Sequence, residues 1–260
     1  APEEDWMIGE FLQRDFNVTY MHPRDSEQAE ETTDAIIVRN TWNERLYGEP
    51  EPWYTRWRTK AWLPIHDDLY LREGAYKYYL LQLYQNGFPV IPSIDTTDDL
   101  EHIPSTDEYF IKPKDGFDAI GAHRISKQEL ITLNPSGFLI QPFIDFMHEL
   151  SFYYLDREFQ HALYAPNKSK RWDLVPFTPS ESDMGFAEKF NQWDPQRYGI
   201  VRIDACRLRT GELLLVEVTD QGGAYLSIPE LPADVRDHFL ENLSTSLQKT
   251  VARGKCWAHS

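Results

Sequence analysis

The stretch VRIDACRLRTGELLLVEVTD, residues 201–220, reads as two strands joined by a tight turn. With Thr210 and Gly211 as the central turn residues, Asp204 falls opposite Glu217 and Arg202 opposite Thr219. Side chains alternate with period two along a strand, so all four share one face. Residues directly opposed across an antiparallel pair lie about 5 Å apart, a distance at which two carboxylates repel each other unless something cationic separates them. What that cation is decides the chemistry of the chain.

The 260 residues suffice for a sizeable core and roughly two domains. With 42 acidic against 26 basic residues the formal net charge is -16, which argues against a surface tuned to a nucleic-acid backbone. A local pocket can still be positive on an acidic protein. Cys206 and Cys256 are the only cysteines. Cys206 falls in a central strand and reads as a small buried hydrophobe. No disulfide framework is expected, and a cytoplasmic location is the default. No run reaches the length of a membrane-spanning helix and the first residues do not read as a signal peptide, so no membrane partner is expected. The start APEEDW is compatible with a processed or incomplete amino terminus.

Outward from the hairpin, residues 5–15 predict a short helix around Trp6, Ile8, Phe11 and Leu12, and 16–20 a strand. DAIIVRNTW (34–42) is a clearer strand whose exit carries Arg39, Asn40 and Thr41, where an open α/β sheet meets ligands. Arg39 is therefore a candidate substrate contact, or simply marks the strand's end. The aromatic 49–66 connection could cover a cleft. EGAYKYYLLQLYQNGFPVIPS (73–93) predicts a helix stopped at Asn86-Gly87, then a short strand. Lys77 on such a helix is ordinarily solvated.

YFIKPKDGFDAIGAHRIS predicts strands over 109–112 and 121–125, with Pro113 ending the pairing where Lys112 faces outward. Gly116 and Gly121 bracket the turn and could let backbone amides approach a phosphate, although glycines in a hairpin are common. From 138 to 155 a strand is interrupted by Pro142 and resumes at Glu149; backbone groups freed by the interruption could read a purine edge. Asp156-Arg157 turns into a strand over 159–163. The segment 164–193 reads as irregular and holds the basic run NKSKRW with Lys168, Lys170 and Arg171. That run could grip phosphate or substrate, or be a solvated loop. His148 and His161 read as satisfied structural histidines. The last stretch is a helix with Val235, Phe239, Leu243, Leu247 and Val251 in an apolar stripe, Pro232 near its start and Gly254 just past its end.

Carboxylates without a matching Cys/His set suggest Mg²⁺, or Mn²⁺, rather than zinc. Mg²⁺ held by one or two carboxylates plus substrate phosphates belongs to a nucleotide enzyme, with lysines and an arginine taking the phosphate charge.

The order YFIKP, then LIQPFID and HELSFYYLDREFQHAL, then VRIDACRLRTGELLLVEV resembles the ATP-grasp superfamily, over roughly residues 34–228. The flavour is similar to glutathione synthetase-like ligases, in particular the D-cycloserine cyclo-ligase type. The resemblance implies an α/β (α+β) fold: a pre-grasp segment over 1–70, a small subdomain over 71–140, and a large subdomain over 141–260, with ATP between two sheets. It implies that Lys77 and Lys112 hold the ATP phosphates. Gln141 and the backbone around Phe143 and Ile144 would hold adenine, Asp145 or its neighbour would face the ribose, and Glu149 would floor the site. Arg202 would face the transferred phosphate, and Asp204 and Glu217 would bind Mg²⁺. The family's chemistry activates a small-molecule carboxylate as an acyl phosphate for attack by an amine or similar nucleophile.

Two departures stand out. Thr219 occupies a position where the family often has Asn or Glu, so the third metal ligand would be a weak hydroxyl or Asp220. The glycine loop is thin, with Phe117 and Ile120 at places often small. Arg39, Lys168 and Arg171 remain candidates for an anionic substrate group, and a homodimer would fit the resembled family. A small-molecule kinase on the same fold, or an inactive nucleotide-binding or scaffold protein, are the rival readings.

Overall fold

The structure is a computed structural model that describes residues 2–22, 25–39, 57, 60, 64–66, 77–114, 119–170, 172–194, 197–220 and 225–257. Asn40, Thr41, Gly116, Phe117 and Arg171, and most of the 49–66 connection, lie outside the described residues. So do the side chains of Asp220 and Cys256.

Two antiparallel sheets carry the architecture. The smaller has β4 (His123–Ser126), β3 (Glu108–Pro113) and β5 (Phe138–Pro142) in that order. The larger runs β10 (Leu213–Asp220), β9 (Ile200–Arg207), β6 (His148–Leu155), β7 (Glu158–Ala165) and β8 (Val175–Pro176). A short parallel pair, β1 (Ile36–Ile37) and β2 (Ile65–His66), stands apart. The chain expected to be one proline-interrupted strand is therefore two: β5 ends at Pro142 in the small sheet and β6 begins at His148 in the large one. The interruption is the crossing between sheets. The 16–20 strand is absent, because that segment pairs with nothing and instead sends the Tyr20 hydroxyl to the Asp5 and Trp6 carbonyls of α1 (Pro2–Leu12).

Among the described residues, two α-helices longer than one turn went unanticipated, besides the four-residue Glu27–Glu30. α3 (Lys127–Leu133) and α4 (Glu181–Trp193) each start with a capping box, Ser126 with Glu129 and Ser180 with Asp183. Each pair satisfies two amide donors that a helix start leaves orphaned. α2 (Tyr78–Gln85) ends at Asn86, as expected, and buries Leu80 and Leu83; residues 73–76 of that stretch lie outside the described residues.

Period two decides where the site lies. On one face of the large sheet Leu150, Phe152, Tyr154, Ile203 and Ala205 pack against Leu80 and Leu83 of α2 and Phe186 and Phe190 of α4. On the opposite face the strands change character along their length. Leu155, Tyr153 and Ile200 are covered by Ile8 and Leu12 of α1 and by Phe239, Leu243 and Leu247 of α5 (Ala233–Trp257). Beyond them, the same face continues as Arg202, Asp204 and Cys206 on β9 beside Tyr153, Ser151 and Glu149 on β6. That polar half faces the small sheet. α5 runs through Gly254 rather than stopping before it, since a Cβ there would lie 2.1 Å from the ring Cγ of Pro64. The glycine serves close packing, not helix termination.

The segment 89–94 joins the sheets. Ile91 donates to Leu215 and Leu215 to Pro89 at the outer edge of β10, while Ile94 and Ile140 exchange both backbone bonds on β5. The expected short strand here is a strap with one bridge to each sheet, and it sets the spacing of the cleft.

Candidate active site

The β9–β10 register matches Glu217 with Asp204 and Thr219 with Arg202, by a route that differs from the expected one. Near the turn Leu213 pairs with Arg207 and Leu215 with Ala205, a register one residue short of that required. The loop is longer than two residues, closed by Leu208 N–H to the Glu212 carbonyl and Gly211 N–H to the Leu208 carbonyl. An irregularity between Leu215 and Glu217 then inserts Val216 and restores the parity. A bulge of this kind re-aims the side chains beyond it. Without it, Glu217 and Thr219 would point to the other face. Tyr79 of α2 steadies the strand just past the bulge: its hydroxyl accepts from the Val218 N–H at 2.8 Å and donates to the Val218 carbonyl at 3.3 Å.

Each carboxylate has its own cation. Arg202 forks onto Asp204, Nε to Oδ1 at 2.9 Å and Nη2 to Oδ2 at 2.8 Å. Ser151, its neighbour on β6, donates to the same Oδ1 at 2.6 Å. The third arm of Arg202, Nη1, donates to the Tyr225 carbonyl at 3.2 Å. Lys77 Nζ lies 3.5 Å from Glu217 Oε2, held there because the Lys77 N–H donates to the Lys114 carbonyl at 2.8 Å. Thus the loop after Lys112 positions Lys77, and the two lysines converge on one carboxylate.

Lys112 does not face outward as expected. β3 continues to Pro113, paired with Phe138, and the Lys112 side chain turns into the cleft with 7% of its surface exposed. Burial lowers its pKa to about 8; Glu217 and Glu149 oppose that shift and Lys77 adds to it. Burial raises the pKa of Glu217, but the fields of Lys77, Lys112 and Arg202 outweigh it, so this carboxyl titrates below the ordinary glutamate value. Arg202 is held above its usual value, the attraction of Asp204 overcoming a burial that alone would lower it. Cys206 shares the face, and burial pushes its thiol up to about 12, so it stays protonated and inert. Arg202, Asp204, Glu217, Lys77, Lys112 and Glu149 therefore form one cluster of alternating charge between the two sheets.

The remaining expected residues lie elsewhere along the cleft or are already engaged. Gln141 is buried and its side chain donates to Ser93 on the strap at 2.8 Å. The Phe143 N–H is taken by the Glu108 carbonyl, and the Arg124 guanidinium sits 3.9 Å over the Phe143 ring. Among the described residues the Ile144 and Asp145 amides make no backbone hydrogen bond, whereas Phe146 donates to the Ile144 carbonyl. Asp145 is exposed and clasped from two sides, by Lys168 at 2.7 Å and Arg209 at 2.8 Å, which lower its pKa to about 2. The structure thus brings together Asp145 and Lys168, which the sequence placed in separate roles. Arg39 is 9% exposed at its side chain and lies 2.8 Å from Asp5 and 3.4 Å from Glu4. Ser151, Tyr79 and Arg209 were missed. Ser151 was accessible from Glu149 by period two, whereas nothing in the sequence pairs Tyr79 with β10.

The donors suit a hard divalent cation. Asp204 and Glu217 offer carboxylate oxygens on one face with the Thr219 hydroxyl next along. Among the described residues no group of three or more His, Cys, Asp or Glu side chains could hold a metal. Two carboxylates completed by phosphate oxygens and water are what Mg²⁺ ordinarily accepts.

No protein-family model and no curated protein sequence matches the chain. Solved structures do. D-cycloserine synthetase DcsG aligns with a TM-score of 0.71 at 18% identity over 94% of each chain. D-alanine–D-alanine ligase from Bacillus anthracis, complexed with ATP, gives 0.65 at 14% identity over 97% of this chain and 94% of the ligase. The ATP-grasp ligase PsnB with its minimal precursor gives 0.64 at 14% identity, covering 94% of this chain and 95% of PsnB. The protein has the mixed α/β fold of the ATP-grasp ligases.

Proposed function

We propose that the protein is an ATP-dependent ligase that activates a small-molecule carboxylate as an acyl phosphate for attack by an amine, releasing ADP and phosphate. The observation that carries this is the convergence of Lys77 and Lys112 on Glu217, beside the Arg202–Asp204 fork, in the cleft between two sheets. A polyphosphate entering there exchanges the partners of those cations without requiring new ones. Lys77 and Lys112 take phosphate oxygens, the amides of Ile144 and Asp145 meet the adenine edge, and Asp145 turns from its clasp to the ribose. Arg202 faces the transferred phosphoryl group, its Nη1 bond to the Tyr225 carbonyl keeping the guanidinium in place as Asp204 is released. Bound Mg²⁺, or Mn²⁺, supplies neutralisation of phosphate charge; Asp204 and Glu217 are the residues to hold it, with Thr219 as a third oxygen.

The substrate carboxylate displaces ADP at the terminal phosphorus. The amine nitrogen then attacks the acyl carbon, phosphate leaves with the bonding pair, and the nitrogen loses its proton. No protein nucleophile is needed, and the chain's contribution is alignment and preorganised charge. A cytoplasmic location fits an enzyme fed by ATP.

The test is ADP release from MgATP across a panel of carboxylate and amine pairs, with calorimetric ATP titration in Mg²⁺ and in EDTA. Release that requires both substrates supports the proposal. Failure to bind ATP in either buffer overturns it. A nucleotide-binding protein without turnover is the second reading, favoured by the full engagement of Asp204 with Arg202 and Ser151. It predicts ATP binding indifferent to Mg²⁺.

A further inference from the structure

A cavity of about 370 Å³ opens beside the Arg202 cluster, lined among others by Glu3, Glu4, Trp172, Tyr225, Ser227 and Glu230. That volume is in the range of small-molecule sites. Its connection to the reactive centre is direct, because the Tyr225 carbonyl is the acceptor for Arg202. None of the described lining residues is basic. The nearby Arg39 is spent on Glu4 and Asp5. Among the described residues Glu3 and Glu230 make no ion pair, so these two carboxylates of the lining are left without a cation. One wall is aromatic: Trp172, half exposed, lies 5.7 Å from Tyr225, ring centre to ring centre.

Ser227 adds an independent indication of a ligand. It is 7% exposed, and its oxygen accepts from the Tyr153 hydroxyl at 3.4 Å. Among the described residues nothing accepts its own proton. A nearly buried hydroxyl donor facing a cavity needs an acceptor, and a ligand oxygen would supply it.

We infer that this cavity binds a small organic ammonium ion carrying a hydrogen-bond-accepting oxygen. Glu3 and Glu230 meet the charge, the Trp172 and Tyr225 rings cover its methylene and ammonium surface, and Ser227 donates to the oxygen. That the occupant is the amine substrate rests on the ligase reading; the binding site does not. The cavity thus assigns a cationic substrate where the basic residues Arg39 and Lys168 had suggested an anionic one.

Three four-carbon probes that differ at one end test it: 4-amino-1-butanol, 1,4-butanediol and 4-hydroxybutanoate, titrated calorimetrically into the full chain. The amine alone should saturate, and added salt should weaken it. The exposed positions allow substitutions that spare the fold. Glu3→Gln with Glu230→Gln should weaken the amine about tenfold or more, and Trp172→Leu severalfold. Equal binding of diol and amine overturns the inference. So does amine binding unchanged in both variants, or the absence of saturation by about 100 mM. MgATP titration of the same samples separates the two proposals. Loss of ATP binding in the wild-type protein sinks the ligase reading and leaves the cavity result standing.

Discussion

Replacing Lys112 by methionine should stabilise the protein and disable it. The Lys112 ammonium is buried in the cleft at a pKa of about 8, against 10.5 for a free lysine. Below pH 8 that difference corresponds to a destabilisation of about 3 kcal/mol relative to a lysine left in water. Methionine keeps the length and removes the charge, and the attraction of Glu217 for the ammonium is already contained in that depressed pKa. A gain of up to about 3 kcal/mol is expected at pH 7, or roughly 6–12 °C in Tm. The sign of the pH dependence follows from the depressed pKa. Between pH 8 and 10.5 the unfolded chain binds a proton that the folded wild type has shed, so the wild type recovers stability as pH rises. The advantage of K112M should therefore be full below pH 8 and shrink toward zero by about pH 10.5. Urea unfolding of both proteins across this window measures it. Saturating MgATP should invert the order, because only the wild type gains the ligand's stabilisation. A variant less stable than wild type at pH 7, or a difference that ignores pH, would refute the reasoning.

Three further substitutions report on the scaffold. His161 is buried between Tyr153, 4.4 Å away and stacked, and Phe239; among the described residues neither ring nitrogen has a partner at ordinary hydrogen-bond geometry, contrary to the satisfied histidine expected. Burial lowers its pKa to about 4, opposed by the Leu226 backbone. The unfolded state thus takes up a proton first as pH falls through 6.5, and up to about 3 kcal/mol is lost by pH 4. His161→Phe should outlast the wild type increasingly over that range in acid unfolding; a constant difference would contradict this. Tyr154→Phe should be neutral or stabilising by up to about 1 kcal/mol, because the buried hydroxyl has no partner among the described residues. A clear loss of Tm would reveal one. Gly254→Ala should lose about 1–2 kcal/mol by urea titration, the contact with Pro64 overriding the helix preference for alanine. A rise in stability would mean the proline moves freely.

The legible part of the molecule was what alternation and order along one chain control. Arg202, Asp204, Glu217 and Thr219 share a face as period two requires, and the β5, β6 and β7 strands lie near where their apolar runs place them. What alternation cannot convey is which strand lies in which sheet. Pro142 was visible as an interruption, but only the partner strands reveal that it separates two sheets. The same limit hid the direction of Lys112, which depends on the large sheet standing opposite β3. α3 and α4 were lost for a different reason: their signals, Ser126 with Glu129 and Ser180 with Asp183, are caps rather than periodic apolar faces.

The hairpin is the instructive case, because its register came out right from a turn that is wrong. A two-residue turn at Thr210-Gly211 and a longer loop followed by one bulge at Val216 give the same pairing of Asp204 with Glu217. Only the second places an irregular residue where the strap and Tyr79 grip the edge of β10, at Leu215 and Val218. The bulge therefore couples the direction of Glu217 to α2, whose first residue is preceded by Lys77, the cation that meets it. The question of what separates the two carboxylates is answered by the chain itself: Arg202 neutralises one and Lys77 the other, each delivered by a different element. With Asp204 and Glu217 each already paired to a cation, the exchange of partners proposed above, metal for lysine and phosphate for carboxylate, would leave the charge balance of the pair nearly unchanged. Under the proposed function, that balance would let so acidic a chain hold a polyanion in a cleft without a basic surface around it.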